Sequence, residues 1–140
     1  MSYLDDFHRL MDTQKEIALA TCLNDEPNVR IVNFYYSQES PGVLWFATFS
    51  DNVKVAEFEK NDRVAFTTVP YGDTEHVRAA RAKVKKSALP LSALQDAFID
   101  KIPGYADIIT MAGEALALYE IHFSQASVVL DAERMGNISL

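Results

Sequence analysis

A chain of 140 residues, 49% apolar and 24% charged, has the make-up of one ordinary globular domain, long enough to bury its own core. Its formal net charge of -7 argues against a broad nucleic-acid-binding face, which selects for clustered Lys and Arg, and no apolar run approaches the ~20 residues of a membrane-spanning helix. The single cysteine, Cys22, excludes an internal disulfide. The start Met1-Ser2-Tyr3-Leu4-Asp5-Asp6 lacks the basic-then-apolar order of a signal peptide, so a cytoplasmic address is expected.

Leu4, Phe7, Leu10 and Met11 form a helical stripe, and Ser2 with Asp5 has capping-box spacing, which predicts a helix over residues 3–13. Residues 16–23 read as a strand, followed by the turn cluster Asn24-Asp25-Glu26-Pro27-Asn28. Two β-rich runs, Val29 to Tyr36 and Val43 to Phe49, flank a polar segment closed by Pro41-Gly42, as in an antiparallel hairpin. Ser50-Asp51-Asn52 offers caps for a helix over residues 53–60 with Val55, Ala56 and Phe58 inward, and Asn61-Asp62 ends it.

Arg63 to Val69 is a further strand, stopped by Pro70-Tyr71-Gly72-Asp73. Residues 75–87 read as a long strand whose alternation slips near Ala79-Ala80, which suggests a β-bulge. The basic residues bunched there, from His76 to Lys86, read as a solvated strand face. Ser92 and Gln95 have capping-box spacing before a helix with Leu94, Phe98, Ile99 and Ile102 inward, stopped by Pro103-Gly104. A short helix over residues 105–111, a long strand over residues 115–130 and a weakly structured tail from Arg134 complete the chain. Six mostly antiparallel strands with helices inserted between them predict a small closed barrel rather than a doubly wound sheet.

The central hairpin carries the chemistry. Pairing Tyr35 with Val43 sets Arg30 opposite Thr48, with Val32, Phe34, Leu44 and Phe46 on the same face and Ile31, Asn33, Tyr35, Val43, Trp45 and Ala47 on the other. Both faces are largely apolar, so the second needs a cover, either another subunit or a flat aromatic ligand. The strand ends at Thr48 close to a helix start that carries Lys54. Unpaired backbone N–H groups, Thr48, Asn52 and two cations thus gather around one small anionic ligand. Taken singly, each residue has an ordinary structural explanation; the set together points to a phosphate.

Arg30-Ile31-Val32-Asn33, then Phe46-Ala47-Thr48, then Asn52-Val53-Lys54 resemble the motifs of the pyridoxamine 5′-phosphate oxidase-like, FMN-binding split-barrel family. That family shows R-x-V on one strand and T-x-x-x-S-x-K running off the next, with Asn52 here in place of Ser. Asn61 to Phe66, Val77 to Val84 and Leu118 to Phe123 with Ala126 resemble its later strands, so that the likeness spans roughly residues 4–131 of a single domain covering residues 1–140.

The resemblance implies a six-stranded antiparallel split β-barrel with flanking short helices, and a homodimer with FMN at the subunit interface. Arg30 and Lys54 would hold the phosphate with Thr48 and Asn52, while Ile31, Val32, Asn33, Phe46 and Ala47 border the isoalloxazine ring. The second subunit would contribute from around Glu75-His76. The implied activity is that of a flavin oxidoreductase acting on a small molecule. A flavin-storage module, or a cofactor-free or haem-binding member of the same barrel, is the alternative.

Two departures bear on the substrate. Tyr35 stands where the authentic oxidase has a phosphate-binding Lys, and no counterpart of that enzyme's C-terminal substrate contacts precedes Leu140, which argues against vitamin B6 oxidation. His8, His76 and His122 lack metal-ligand spacing. Cys22 reads as a buried inert thiol, and Asp5-Asp6 and Glu57-Glu59 as solvated helix faces.

Overall fold

The computed structural model describes residues 2–140, Met1 lying outside it. Helix α1 (Tyr3–Thr13) opens the chain with the expected capping box, Ser2 and Asp5 each bonding the other's backbone N–H, and it buries Phe7, Leu10 and Met11. Strands β1 (Glu16–Leu23) and β2 (Glu26–Asn33) form a hairpin around Asn24 and Asp25, both at positive φ. Asn and Asp tolerate that conformation better than other non-glycine residues. Strand β2 begins three residues earlier than the turn composition suggests, at Glu26 rather than Val29, because Glu26 already pairs with Leu23.

After β3 (Tyr35–Tyr36), β4 (Val43–Phe49), helix α2 (Val53–Lys60), β5 (Arg63–Thr68) and β6 (His76–Lys86) come the short helices α3 (Gln95–Lys101) and α4 (Tyr105–Ala112). Strands β7 (Leu116–Phe123), β8 (Gln125–Val129) and β9 (Met135–Ser139) close the fold. The described residues thus form nine strands rather than six, in one antiparallel sheet of order β2-β1-β5-β6-β7-β4-β3 with β8 and β9 branching from β6. The sheet begins at β2 and ends at β3, and in the chain only Phe34 separates these two. The sheet therefore curls until its ends meet, and the barrel is closed by the chain's own continuity.

That break at Phe34 corrects the central hairpin. Val29 to Tyr36 is not one strand, since Phe34 is wholly buried and its N–H donates to Lys15 O at 3.2 Å. Residues 26–33 take β1 as partner, and only Tyr35 and Tyr36 pair with β4, opposite Trp45 and Leu44. The register differs by two residues from the Tyr35–Val43 pairing expected. A slip of two preserves which face each side chain takes, so Leu44, Phe46 and Thr48 do face inward while Trp45 faces out.

Trp45 and Leu118 are then covered by Phe98, Ile102 and Tyr105 of the α3–α4 segment and by Leu91 just before it. This chain's own helices, and not a partner or ligand, bury the far face of β4. Lys101 fixes them in place: its Nζ donates to Met11 O at 2.9 Å and lies 3.6 Å from the Phe34 ring centroid. Burial pushes its pKa down to about 7, Lys15 lowering it further and Asp12 opposing.

Other differences are local. The bulge in β6 is present, its pairing with β5 shifting by one residue between Val64–Ala82 and Phe66–Ala79. Ser92 caps nothing, because it sits inside a short 3-10 turn (Leu91–Ala93) and Leu94 precedes α3. Ile99 and Ala56 are exposed. The strand expected over residues 115–130 is cut at Ser124, and the tail from Arg134 is ordered as β9, hydrogen-bonded along β8. No helix among the described residues is long and apolar enough to cross a membrane.

Candidate anion site at the barrel split

Strand β2 places Arg30 opposite Leu19 of β1, on the same face as Leu19 and Thr21. Its Nη1 donates to Thr21 Oγ1 at 2.7 Å and its Nη2 to Glu57 Oε1 at 3.3 Å. Thr21 Oγ1 in turn donates to Glu57 Oε2 at 2.7 Å. The three side chains close a ring that ties β1, β2 and α2 together. Thr21's hydroxyl, then the Arg30 guanidinium, hold the Glu57 carboxyl below the usual carboxylate range.

Helix α2 supplies the second cation. Asn52 caps it, its Oδ1 accepting from the Lys54 N–H at 3.1 Å. That use of Oδ1 leaves the Asn52 NH2 as the group able to donate to a ligand. Lys54 is only 8% exposed and has no ion-pair partner among the described residues. Burial, then the nearby Arg30 charge, lowers its pKa. A nearly buried ammonium beside a guanidinium is costly unless an anion joins them. Such a pair fits a phosphate, and Glu57 already neutralises one of its two charges.

The remaining expected residues divide. Thr48 is buried on β4 across from Ala117, and no hydrogen bond joins it to Arg30 or Lys54 among the described residues. Its place at a strand end before α2 is as expected, but its position opposite Arg30 is not, since β2 pairs with β1. Ile31, Val32 and Asn33 lie along β2, whose ladder runs only to β1. Phe46 and Ala47 pair with β7 on one side of β4, while β3 covers only Leu44 and Trp45 on the other. Two strand edges with unpaired backbone groups therefore diverge from Phe34, which is the split of the barrel. A ligand with ring N–H and carbonyl groups would find main-chain partners there. Phe46 itself is core, stacked on Tyr119 at 5.8 Å, so only its backbone is available.

Thr21 and Glu57 were not legible as site residues, and Glu57 is not the solvated helix residue expected. The signal was present: Lys54, Val55, Glu57 and Phe58 fall in one arc of α2, and all four are buried. Cys22 is half-buried rather than buried. Within this chain Glu75 pairs with Arg9 at 3.1 Å and lines a cleft of about 560 Å³ with Gln14 and Tyr71, away from Arg30 and Lys54. No cluster of His, Cys, Asp and Glu able to hold a metal occurs among the described residues.

Known structures share this architecture. A protein related to general stress protein 26 of B. subtilis, of the pyridoxinephosphate oxidase family, from Clostridium acetobutylicum is similar at 10% identity and TM-score 0.75 over 99% of this chain and 94% of its own. A FAD-binding protein from Mesorhizobium loti aligns at 15% identity and TM-score 0.67 over 98% and 93% of the two chains. A haem-binding protein from Mycobacterium smegmatis aligns at 12% identity and TM-score 0.78, covering 99% of this chain but 58% of that one. No curated protein matches the sequence. The family model described as pyridoxamine 5'-phosphate oxidase-like matches residues 10–137. With a split antiparallel barrel and a pair of cations at its opening, the chain belongs to the pyridoxamine 5′-phosphate oxidase-like family.

Proposed function

We propose that this chain is an FMN-binding cytoplasmic flavoprotein that works as an oxidoreductase on a small molecule, as a homodimer with its cofactor sites at the interface. The observation that carries the reading is Lys54, a nearly buried ammonium with no ion-pair partner among the described residues, beside Arg30 at the start of α2. Bound FMN would supply the redox chemistry. Arg30, Lys54 and the Asn52 amide would hold its phosphate, with Thr48 at the adjoining strand end. The unpaired edges at Ile31 to Asn33 and at Phe46 to Ala47 would orient its ring. The FAD-binding relative supports a flavin in this fold.

The dimer reading rests on an uncovered face. Val29 and Ile31 on β2 are 63% and 56% exposed. A shallow apolar depression of about 320 Å³, lined by Ala18, Ala20, Val29, Ala65 and Ala80, adjoins them. Small residues on a flat sheet face allow close approach of a second sheet, and such patches mark interaction sites.

The test is titration of the purified protein with FMN, read by flavin fluorescence, alongside Arg30→Ala and Lys54→Ala. Each substitution is expected to weaken binding by about 1.5–3 kcal/mol, the range for a hydrogen bond to a charged group. Unchanged affinity in both variants would place the phosphate elsewhere. A Soret band in the isolated protein would instead favour a haem site like that named for the mycobacterial neighbour. Flavin binding without reduction by NAD(P)H or transfer to any acceptor would favour a storage module.

A further inference from the structure

We infer that Glu57 is a resident counter-anion that competes with the ligand's phosphate for Arg30 and so sets how tightly the site holds a dianion. The inference rests on the phosphate reading above and goes beyond it by naming the residue that limits affinity.

The geometry is specific. A carboxylate that merely anchored a strand arginine could sit on the solvent side, but Glu57 comes from the same inward arc of α2 as Lys54, one turn further on. It takes one Nη donor of Arg30 directly at 3.3 Å and reaches the other through Thr21, by bonds of 2.7 Å and 2.7 Å. Both outer nitrogens of the guanidinium are thus engaged, and a bidentate phosphate contact would have to take a donor from Glu57 or Thr21. Glu57 makes no ion pair with Lys54, three residues before it, among the described residues. The carboxylate neutralises one cation and leaves the other open.

Charge arithmetic then gives the direction. Arg30 and Lys54 carry two positive charges and Glu57 one negative, so the site holds one net positive charge against a phosphomonoester that is nearly doubly negative at neutral pH. Removing the carboxylate charge while keeping its shape should favour the dianion. The long Glu57–Arg30 contact, against the short bonds through Thr21, marks it as the weaker link of the ring.

The experiment measures FMN and riboflavin affinity by fluorescence quenching in the native protein, Glu57→Gln and Glu57→Asp. Glu57→Gln keeps the shape and one acceptor oxygen, enough for Thr21, while its NH2 takes the place of the oxygen that accepts from Arg30 and the charge is lost. FMN affinity is expected to rise roughly tenfold, consistent with one removed like-charge contact in a partly buried site. Glu57→Asp withdraws the charge by one methylene and should give a smaller rise, which keeps the test decisive if the amide variant fails to fold. Riboflavin, which lacks the phosphate, should bind the native protein and the variants within about twofold of one another, as expected if the effect acts through that phosphate. If FMN binds the native protein but binds neither variant more tightly, or if riboflavin gains equally, the inference is overturned while the phosphate reading stands. If FMN binds none of the three, both fall.

Discussion

Thr21 Oγ1 donates to Glu57 Oε2 at 2.7 Å, joining the middle of β1 to the inner face of α2 across 36 positions of sequence. The hydroxyl also accepts from Arg30, so a single Thr serves a cation and an anion at once.

Thr21→Val keeps the shape and removes both bonds. The variant is expected to lose about 1–3 kcal/mol at neutral pH, the cost of leaving buried polar groups unsatisfied. Because Glu57 titrates below its ordinary value when folded, its contribution is present above the unfolded carboxylate pKa and disappears as pH falls through the lower folded one. Urea unfolding of both proteins at neutral and strongly acidic pH should therefore show the gap narrowing in acid.

Lys54→Met should separate stability from binding. Burial of an ammonium with no ion-pair partner among the described residues is unfavourable without a ligand, so the ligand-free variant is expected to gain on the order of 1 kcal/mol. The same variant should lose most of its preference for FMN over riboflavin. Thermal melts with and without FMN check both halves; a ligand-free variant that melts lower would show that Lys54 has a partner in solution.

Lys101 makes an alkaline prediction. Its pKa falls to about 7 on folding, so the unfolded chain binds the extra proton between that value and the ordinary lysine range. Stability from this group therefore rises with pH across that window, and the penalty for charging it is complete below the folded pKa. Lys101→Met should flatten the rise, with a difference of up to about 4 kcal/mol between pH 6 and pH 10. Denaturant midpoints across that range provide the measurement.

Ala65→Glu addresses the uncovered sheet face. Ala65 is half-buried beside Ala20, its partner across the β1–β5 ladder, on the lining of the apolar depression. A carboxylate there can reach water in a monomer but would be buried in a dimer. Sedimentation should show the native protein as a dimer and the variant as a monomer with weakened FMN binding. A native monomer at micromolar concentration would count against the shared site.

Gly42 tests the closure of the hairpin before β4. It sits at φ +78°, and an added Cβ would collide with the backbone carbonyl of Phe123, which itself receives no freedom to move because Phe123 N–H donates to Gly42 O at 2.8 Å. Gly42→Ala is expected to cost about 2–3 kcal/mol from strain and displacement together, measured by chemical denaturation.

Local signals were legible where local physics decides. The Ser2–Asp5 cap, the α2 start at Asn52 and the bulge in β6 all follow from side chains within a few residues of the feature. The partner of β2 was not legible, because β1 and β4 both offer apolar strands at hairpin distance and the choice turns on Phe34 entering the core. Glu57 was hidden for a related reason. A carboxylate on a short helix looks solvated until the residues that meet it are known, and both Thr21 and Arg30 come from a distant hairpin. Tail strand β9 carries Gly136 and Asn137, poor strand formers, and is ordered by its ladder to β8.

The position of Phe34 between the first and last strands of the sheet has a kinetic meaning. Most barrels must bring remote segments together to close, and the entropy of that loop grows with its length. Here the final seam needs no loop at all, because β2 and β3 are already neighbours in the chain. The slow, non-local work lies in the β1–β5 and β4–β7 ladders; once those form, the seam is set by one wholly buried residue, Phe34, whose N–H is held by Lys15 O.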